Sequence, residues 1–329
     1  MTSFFYLCFM IYRILMILLL AFVGLVPVNA DDDTEAYQFL NTTSSVRIYG
    51  LGGINISTVE DNLEVADQNP ALLGPEMGGW IDLNYMRYVG DSNFAGVKYG
   101  QALGNHGAWL AGIQYFGYGS IQETDVTGEV IGDFSPLDIS FSGTFSYDLF
   151  SRWRIGATVK FLYSSYADYT AWAVATDLGL NYYNPNNDLS ISVVGANLGG
   201  QIKKFEEINE KLPVDLRIGF TKGLGHLPIR LSVTAWNLLK WKDNYKGFMK
   251  HIVLGFDFVP SSKFYLSLGY NYKVRSDMSS YHRNLLSGFS VGAGLSTSRF
   301  NIGLALAQPH TGATTFMINF GLKLYDLIH

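Results

Sequence analysis

The segment Leu137-Asp138-Ile139-Ser140-Phe141-Ser142-Gly143-Thr144-Phe145-Ser146-Tyr147 decides the fold. Its odd positions are Leu, Ile, Phe, Gly, Phe and Tyr; its even positions are Asp, Ser, Ser, Thr and Ser. A period of two places these sets on opposite faces of a strand, one apolar and one polar. The same alternation runs through Trp153, Ile155, Ala157, Val159, Phe161 and Tyr163. It returns in Leu212, Val214, Leu216, Ile218 and Phe220, and again in Phe316, Ile318, Phe320, Leu322 and Leu324. Working outward from these, about fourteen segments of this kind fill the chain from Trp80 to Leu324. They are 79–89, 91–102, 107–118, 137–147, 153–163, 170–183, 188–198, 212–222, 228–242, 250–259, 263–274, 286–297, 299–308 and 314–325. A strand of about ten residues tilted by ~40–45° stands about 24 Å high, close to the ~25 Å apolar band of an outer-membrane barrel.

The connections give the array a direction. Gly104 to His106, Asp148 to Ser151, Asn184 to Asn187, Gly223 to Leu227, Pro260 to Ser262 and Thr297-Ser298 are all short. Most connections of the other parity are long: Gly119 to Pro136, Gly199 to Lys211, Leu239 to Met249 and Lys273 to Asn284. The turn at Gly90 is the exception. Short periplasmic turns and long outer loops characterise transmembrane barrels, whereas a soluble sandwich gives loop length no reason to follow parity. The expected fold is all-β, an outer-membrane β-barrel of about fourteen antiparallel strands with an N-terminal plug.

Composition agrees. Charged residues are 16% of the chain, against roughly 25% in soluble proteins. Aromatics reach 15%, led by 21 Tyr and 22 Phe, residues suited to membrane–water interfaces. The net charge of −5 and the lack of a Lys/Arg block speak against nucleic-acid binding. Arg13, the apolar run Ile14 to Val26, and Val28-Asn29-Ala30 before Asp31 have the parts of a cleaved signal peptide over residues 1–30. The one cysteine, Cys8, lies inside it, so the expected mature chain has no disulfide, thiol nucleophile or lipidation site.

A barrel of this size is too wide for its own side chains to fill, and its inward faces are polar. Residues 31–78, before the barrel at 79–329, are placed to occupy the lumen as a plug. This stretch holds Phe39-Leu40-Asn41, Ser45, Arg47, Leu51-Gly52-Gly53, Asn55, Ser57, Asp61 and Gln68-Asn69-Pro70-Ala71-Leu72. The glycines permit tight backbone approach, and Asn before Pro favours a turn. With Leu83-Asn84-Tyr85 and Tyr88 following, this ordered set over roughly residues 36–100 resembles the PorQ family of outer-membrane proteins of the type IX secretion system. The Asn-Pro-Ala element and the plug before the strands are similar, more distantly, to the long-chain fatty acid transporter family. The first resemblance implies a non-enzymatic surface anchor. Its partners would be a PorZ-type surface protein, a sortase and a PorV-type barrel, in a complex attaching cargo to lipopolysaccharide. The second implies passage of hydrophobic small molecules, and that alternative stays open.

Other motifs carry little chemistry. Gly50-Leu51-Gly52-Gly53 lacks dinucleotide-fingerprint spacing and reads as a turn. The six histidines are scattered, without metal-ligand spacing. No catalytic residue, metal or cofactor is expected. Asn41-Thr42-Thr43 and Asn55-Ile56-Ser57 match the glycosylation pattern but read as turn chemistry in a bacterial plug. Asp138, Asp177, Arg217, Arg230 and Asp257 fall on inward polar faces, to bond the plug or water or to line a substrate path. Phe205 and Ile208 could belong to a short outer helix that touches a partner. Trp241, Tyr245 and Phe248 form either an aromatic partner surface or part of the aromatic belt.

Overall fold

The computed structural model describes residues 36–125, 127–204, 210–241, 245–277, 286–310 and 313–324. The expected signal peptide, residues 31–35 of the expected plug, Phe205, Ile208 and the Tyr245 side chain lie outside the described residues. In chain order the strands are Trp80–Arg87 (β1), Asn93–Leu103 (β2), Gly107–Gly117 (β3), Ile121–Thr124 (β4) and Val130–Phe134 (β5). Leu137–Phe150 (β6), Trp153–Tyr166 (β7), Tyr169–Asn184 (β8), Leu189–Lys203 (β9) and Asp215–Gly223 (β10) follow. Ile229–Ala235 (β11), Ile252–Ser261 (β12), Phe264–Asn271 (β13), Phe289–Ser296 (β14), Phe300–His310 (β15) and Ala313–Lys323 (β16) complete them. Fourteen of these close an antiparallel barrel, and β4–β5 form a separate hairpin. The barrel closes through β1 and β16, from Trp80 opposite Lys323 to Arg87 opposite Phe316.

Period-two alternation sets which residues face out. On β6, Phe141, Phe145 and Tyr147 are exposed while Asp138, Ser140, Thr144 and Ser146 are buried. Every other barrel strand presents large exposed apolar side chains in the same way, for example Leu304 and Leu306 on β15. A water-soluble protein does not leave so continuous an apolar belt uncovered; a lipid bilayer covers it. The fold is that of an outer-membrane barrel. Among the described residues no helix is long and apolar enough to cross a membrane.

Three expected boundaries are corrected. The strand expected over 228–242 ends at Ala235, because Asn237 takes a left-handed φ of 54° and turns the chain into a 3-10 turn at Leu238–Lys240. The strand expected over 263–274 ends at Asn271, whose Oδ1 accepts from the Lys273 N–H (3.1 Å) and starts the helix Tyr272–Asp277. The long loop expected over 119–136 contains the β4–β5 hairpin. Its four carboxylates break any apolar alternation that would have marked it.

Candidate functional site: the plugged lumen

Residues 36–79 fold without strands, as short helical turns held by their own side chains. Ser45 caps the helix Val46–Gly50, its Oγ accepting from the Ile48 N–H at 3.1 Å. Asn62 caps the turn Leu63–Asp67 through the Glu64 N–H, 3.0 Å. Asn69 caps Pro70–Leu72, accepting from the Ala71 N–H (2.9 Å) while its Nδ2 donates to the Ile56 carbonyl (2.7 Å). Pro70 suits the first helical position, where no N–H is needed. Gln68 ties two turns together, accepting from the Asn55 N–H (3.1 Å) and donating to the Gly53 carbonyl (2.9 Å). Gly52 and Gly53 have φ of 100° and 82°, the left-handed region that glycine adopts freely.

The rest of the ordered set binds the wall. Asn55 Nδ2 donates to Ser232 Oγ (2.9 Å), and Ser57 and Thr221 share a hydroxyl bond of 2.8 Å. The Gly52 N–H donates to Ser290 Oγ at 2.9 Å. Leu51 is fully buried, Phe39 sits 6.5 Å from the Phe116 ring, and Leu40 packs beside them. Asp61 is exposed.

Along the barrel axis the lumen is layered. On β2 the inward residues descend from Phe94 through Lys98 to Ala102, and on β3 they rise from Ala108 and Leu110 through Gln114 to Phe116. At the short-turn end, Leu63, Val65, Leu72, Leu73 and Met77 pack with Trp80, Ala108 and Leu110. At the long-loop end, Tyr37, Phe39, Val46 and Tyr49 pack with Phe94, Phe116 and Leu162. Charges fill the layer between. Lys98 Nζ lies 2.6 Å from Asp67, which also accepts from the Thr43 hydroxyl (2.6 Å) and the Ser44 N–H (3.0 Å). Burial alone would raise the Asp67 pKa, but the Lys98 ammonium and the hydroxyls outweigh it and hold the carboxyl down at about 2. Glu64 goes the other way: burial pushes it up to about 7, against the Arg47 backbone N–H that it accepts at 3.0 Å.

Arg47 is the centre of a second group. Its side chain is wholly buried, pairs with Glu60, lies 3.5 Å from Asp257 and stacks 3.7 Å from the Tyr265 ring centroid. Of the five expected inward polar residues, three meet the plug. Arg217 donates to Asn41 Oδ1 (3.2 Å), Arg230 pairs with Glu60 (3.3 Å), and Asp257 faces Arg47. The other two are satisfied by the wall. Asp138 accepts from Tyr118 (2.6 Å), Tyr166 (3.3 Å) and Ser164, and Asp177 pairs with Lys160 at 2.6 Å.

Among the described residues, two cavities flank the plug. The inner one, about 40 Å³, lies between the plug and β2–β10 and is polar, bordered by Asp67, Gln114, Ser142, Lys160 and Arg217. The outer one, about 350 Å³, opens among the long connections and is mostly apolar. Tyr49, Ile54, Tyr88, Trp236, Val274 and Phe289 line it, and Lys273 Nζ sits 4.7 Å from the Trp236 ring centroid. Thr42 borders both cavities, so the segment Gln38–Thr43 is the partition between them.

Beside the partition the wall itself is irregular. Asn197 on β9 has a φ of 57°, and the β8–β9 register slips there, Thr176 facing Leu198 but Leu178 facing Gly195. The β9–β10 ladder stops one residue earlier, at Ala196 opposite Asp215. Beyond it side chains bridge the seam, Asn197 Nδ2 donating to the Pro213 carbonyl (3.1 Å) and Gln201 accepting from the Glu210 N–H (2.9 Å). A bulge beside a stopped ladder is a weak point in a hydrogen-bonded wall.

The barrel is similar to those of known outer-membrane channels. The toluene transporter TodX of Pseudomonas putida superposes with a TM-score of 0.50 at 13% identity, over 85% of this chain and 97% of TodX. A TodX monoaromatic hydrocarbon channel mutant gives 0.50 at 14% identity, over 88% and 98%. A FadL homologue from Pseudomonas aeruginosa gives 0.49 at 10% identity, over 86% and 98%. At such identities the likeness is one of fold. No family model matches the sequence, and no curated protein matches it significantly.

Sequence reasoning did not single out Glu60, Glu64, Asp67 or Lys98, nor the bulge at Asn197. Lys98 had a signal, a cation on the polar face of the alternating run Val97-Lys98-Tyr99. Gly156 had another: a Cβ there would overlap the Pro70 carbonyl, and glycine on an inward strand face marks such close backbone approach. The Trp241 and Phe248 ring centroids lie 4.9 Å apart with the planes tilted, and the exposed Trp241 stacks on His251. Among the described residues no cluster of His, Cys, Asp or Glu could hold a metal ion.

Proposed function

We propose that this protein is an outer-membrane channel for small hydrophobic molecules, which it captures at the long-loop end and releases sideways through the wall. The observation that carries this reading is the apolar outer pocket of about 350 Å³, divided by the Gln38–Thr43 partition from the lumen beside the β9 bulge. A pocket of that volume with a few polar groups is the usual form of a small-ligand site. The charged middle layer disfavours an apolar solute travelling straight down the lumen, since burying such charges against hydrocarbon is costly. The stopped β9–β10 ladder offers a shorter way out. The fold likeness to TodX, described as a toluene transporter, supports the same class.

Titrating the purified barrel with toluene and following Trp236 fluorescence tests this. Saturable quenching is expected, and Val274→Trp, which fills the pocket, should weaken it at least tenfold. Absence of saturation, or an unaltered V274W titration, would overturn the reading.

A second reading, the PorQ-type anchor of a PorZ-like surface protein in type IX secretion, is favoured by the ordered set from Phe39 to Leu72. Gln68, Asn69 and Asn55 of that set tie the plug to itself and to the wall. The exposed Trp241 with the half-buried Phe248 beside it is a candidate contact for such a partner. Under that reading, Trp241→Glu with Phe248→Glu should reduce recovery of a surface protein from solubilised membranes while the barrel still assembles. Equal recovery would assign the two rings to the aromatic belt.

A further inference from the structure

We propose that the β4–β5 hairpin is a docking edge for an extended, cationic segment of another protein at the cell surface. The inference is independent of the pocket and stands whether or not the lumen carries solutes. β3 and β6 pair as far as Gly117 opposite Leu137, and the chain between them continues past the barrel at the long-loop end as this hairpin. β4 pairs with β5 and with no other strand of the described residues. Each strand therefore keeps one edge whose backbone N–H and C=O groups point away from the pair, the arrangement that accepts an added strand.

Three features make this edge more than a solvated loop. Ile121, Val130 and Ile131 are 44%, 56% and 62% exposed, large apolar side chains outside the lipid-facing belt. The hairpin is also held ready. Asp125 accepts from the Thr127 N–H (2.8 Å), the Thr127 hydroxyl (2.7 Å) and the Glu129 N–H (3.0 Å), and its own N–H donates to the Glu129 carbonyl (2.9 Å). A preformed edge loses little conformational freedom on binding. Finally, residues 119–136 contain Glu123, Asp125, Glu129 and Asp133 and no Lys, Arg or His.

That charge selects the occupant. A second copy would bring four more carboxylates against these four, and like charges opposed across a strand pair destabilise it. An anionic lipid surface is repelled in the same way. A strand alternating cationic and apolar residues meets both the carboxylates and the exposed Ile and Val side chains.

The test uses the full barrel in detergent micelles, with a ten-residue peptide of alternating Lys and Val as the probe and a Glu–Val peptide as its counterpart. Hydrogen exchange across residues 119–136 should slow at least tenfold with the Lys–Val peptide. The triple variant Glu123→Lys, Glu129→Lys, Asp133→Lys should bind it at least tenfold more weakly while keeping wild-type heat-modifiable migration. Unchanged exchange in 119–136, equal affinity of the triple variant, or equal affinity for the Glu–Val peptide would each overturn the proposal. So would slowing by lipopolysaccharide vesicles in the absence of any slowing by the peptide.

Discussion

The β13–β16 wall and the β6–β9 wall hold the same plug in different ways. Against β13–β16 the plug lies backbone to backbone. A Cβ on Gly50 would come within 2.8 Å of the Gly292 Cα, Ser290 Oγ donates to the Gly50 carbonyl (3.0 Å), and Tyr49 bonds Thr315. Against β6–β9 the plug packs closely near the short turns and again at Leu162 and Ala173 near the long loops, with a gap between. Near the short turns Pro70–Leu72 sits over Gly156 and Ser146 Oγ donates to the Leu73 carbonyl (2.7 Å). Higher on that wall come the hydroxyls of Ser140, Ser142 and Thr144, the polar cavity, and then the Asn197 bulge. The plug is fastened to one wall and shares water-sized space with the other. A rearrangement that opens a path has least to break on the β6–β9 side.

This contrast can be broken experimentally. Arg47→Met should have the largest effect, because it leaves Asp257 as a buried charge without its cation and Glu60 with Arg230 alone. A loss of about 3–5 kcal/mol is expected in urea unfolding from detergent. A loss below about 1 kcal/mol would mean that Arg47, through Asp257 of β12 and Tyr265 of β13, adds little to the fastening made on β13–β16. Gly156→Val should follow, at about 1–3 kcal/mol, since the added methyls meet the Pro70 backbone and no flexible side chain can yield. Ser142→Leu should be mildest. It projects into the inner cavity, where there is room, so a change within about 1 kcal/mol is expected. If S142L destabilises as much as G156V, the two heights of that wall are packed alike and the contrast fails.

Much of the architecture was legible because it is local. Leu137 to Tyr147 announces its strand by alternation alone, and the short turns at Gly104 to His106 and Asn184 to Asn187 follow the barrel's parity. Asp138 and Asp257 could be assigned to the inward face from the same period. Their partners could not: Asp138 bonds Tyr118, Ser164 and Tyr166 within the wall, whereas Asp257 meets Arg47. The two aspartates have the same local pattern, and only the place of the plug separates them. The β4–β5 hairpin was illegible for the opposite reason, since Glu123, Glu129 and Asp133 interrupt any apolar face that a period could reveal.

By itself, the sequence determined the all-β class, the strand series, the division into short and long connections and the need for an occupant of its lumen. Each follows from side-chain period or connection length, which neighbouring residues set. Only the tertiary structure decided how the occupant divides the lumen into apolar and charged layers, which wall it leaves loose, and where the β9–β10 ladder stops. Those depend on pairs such as Arg230 with Glu60 and Asn55 with Ser232, about 170 residues apart. Contacts at that separation are made by barrel closure around the plug, and no local pattern encodes them.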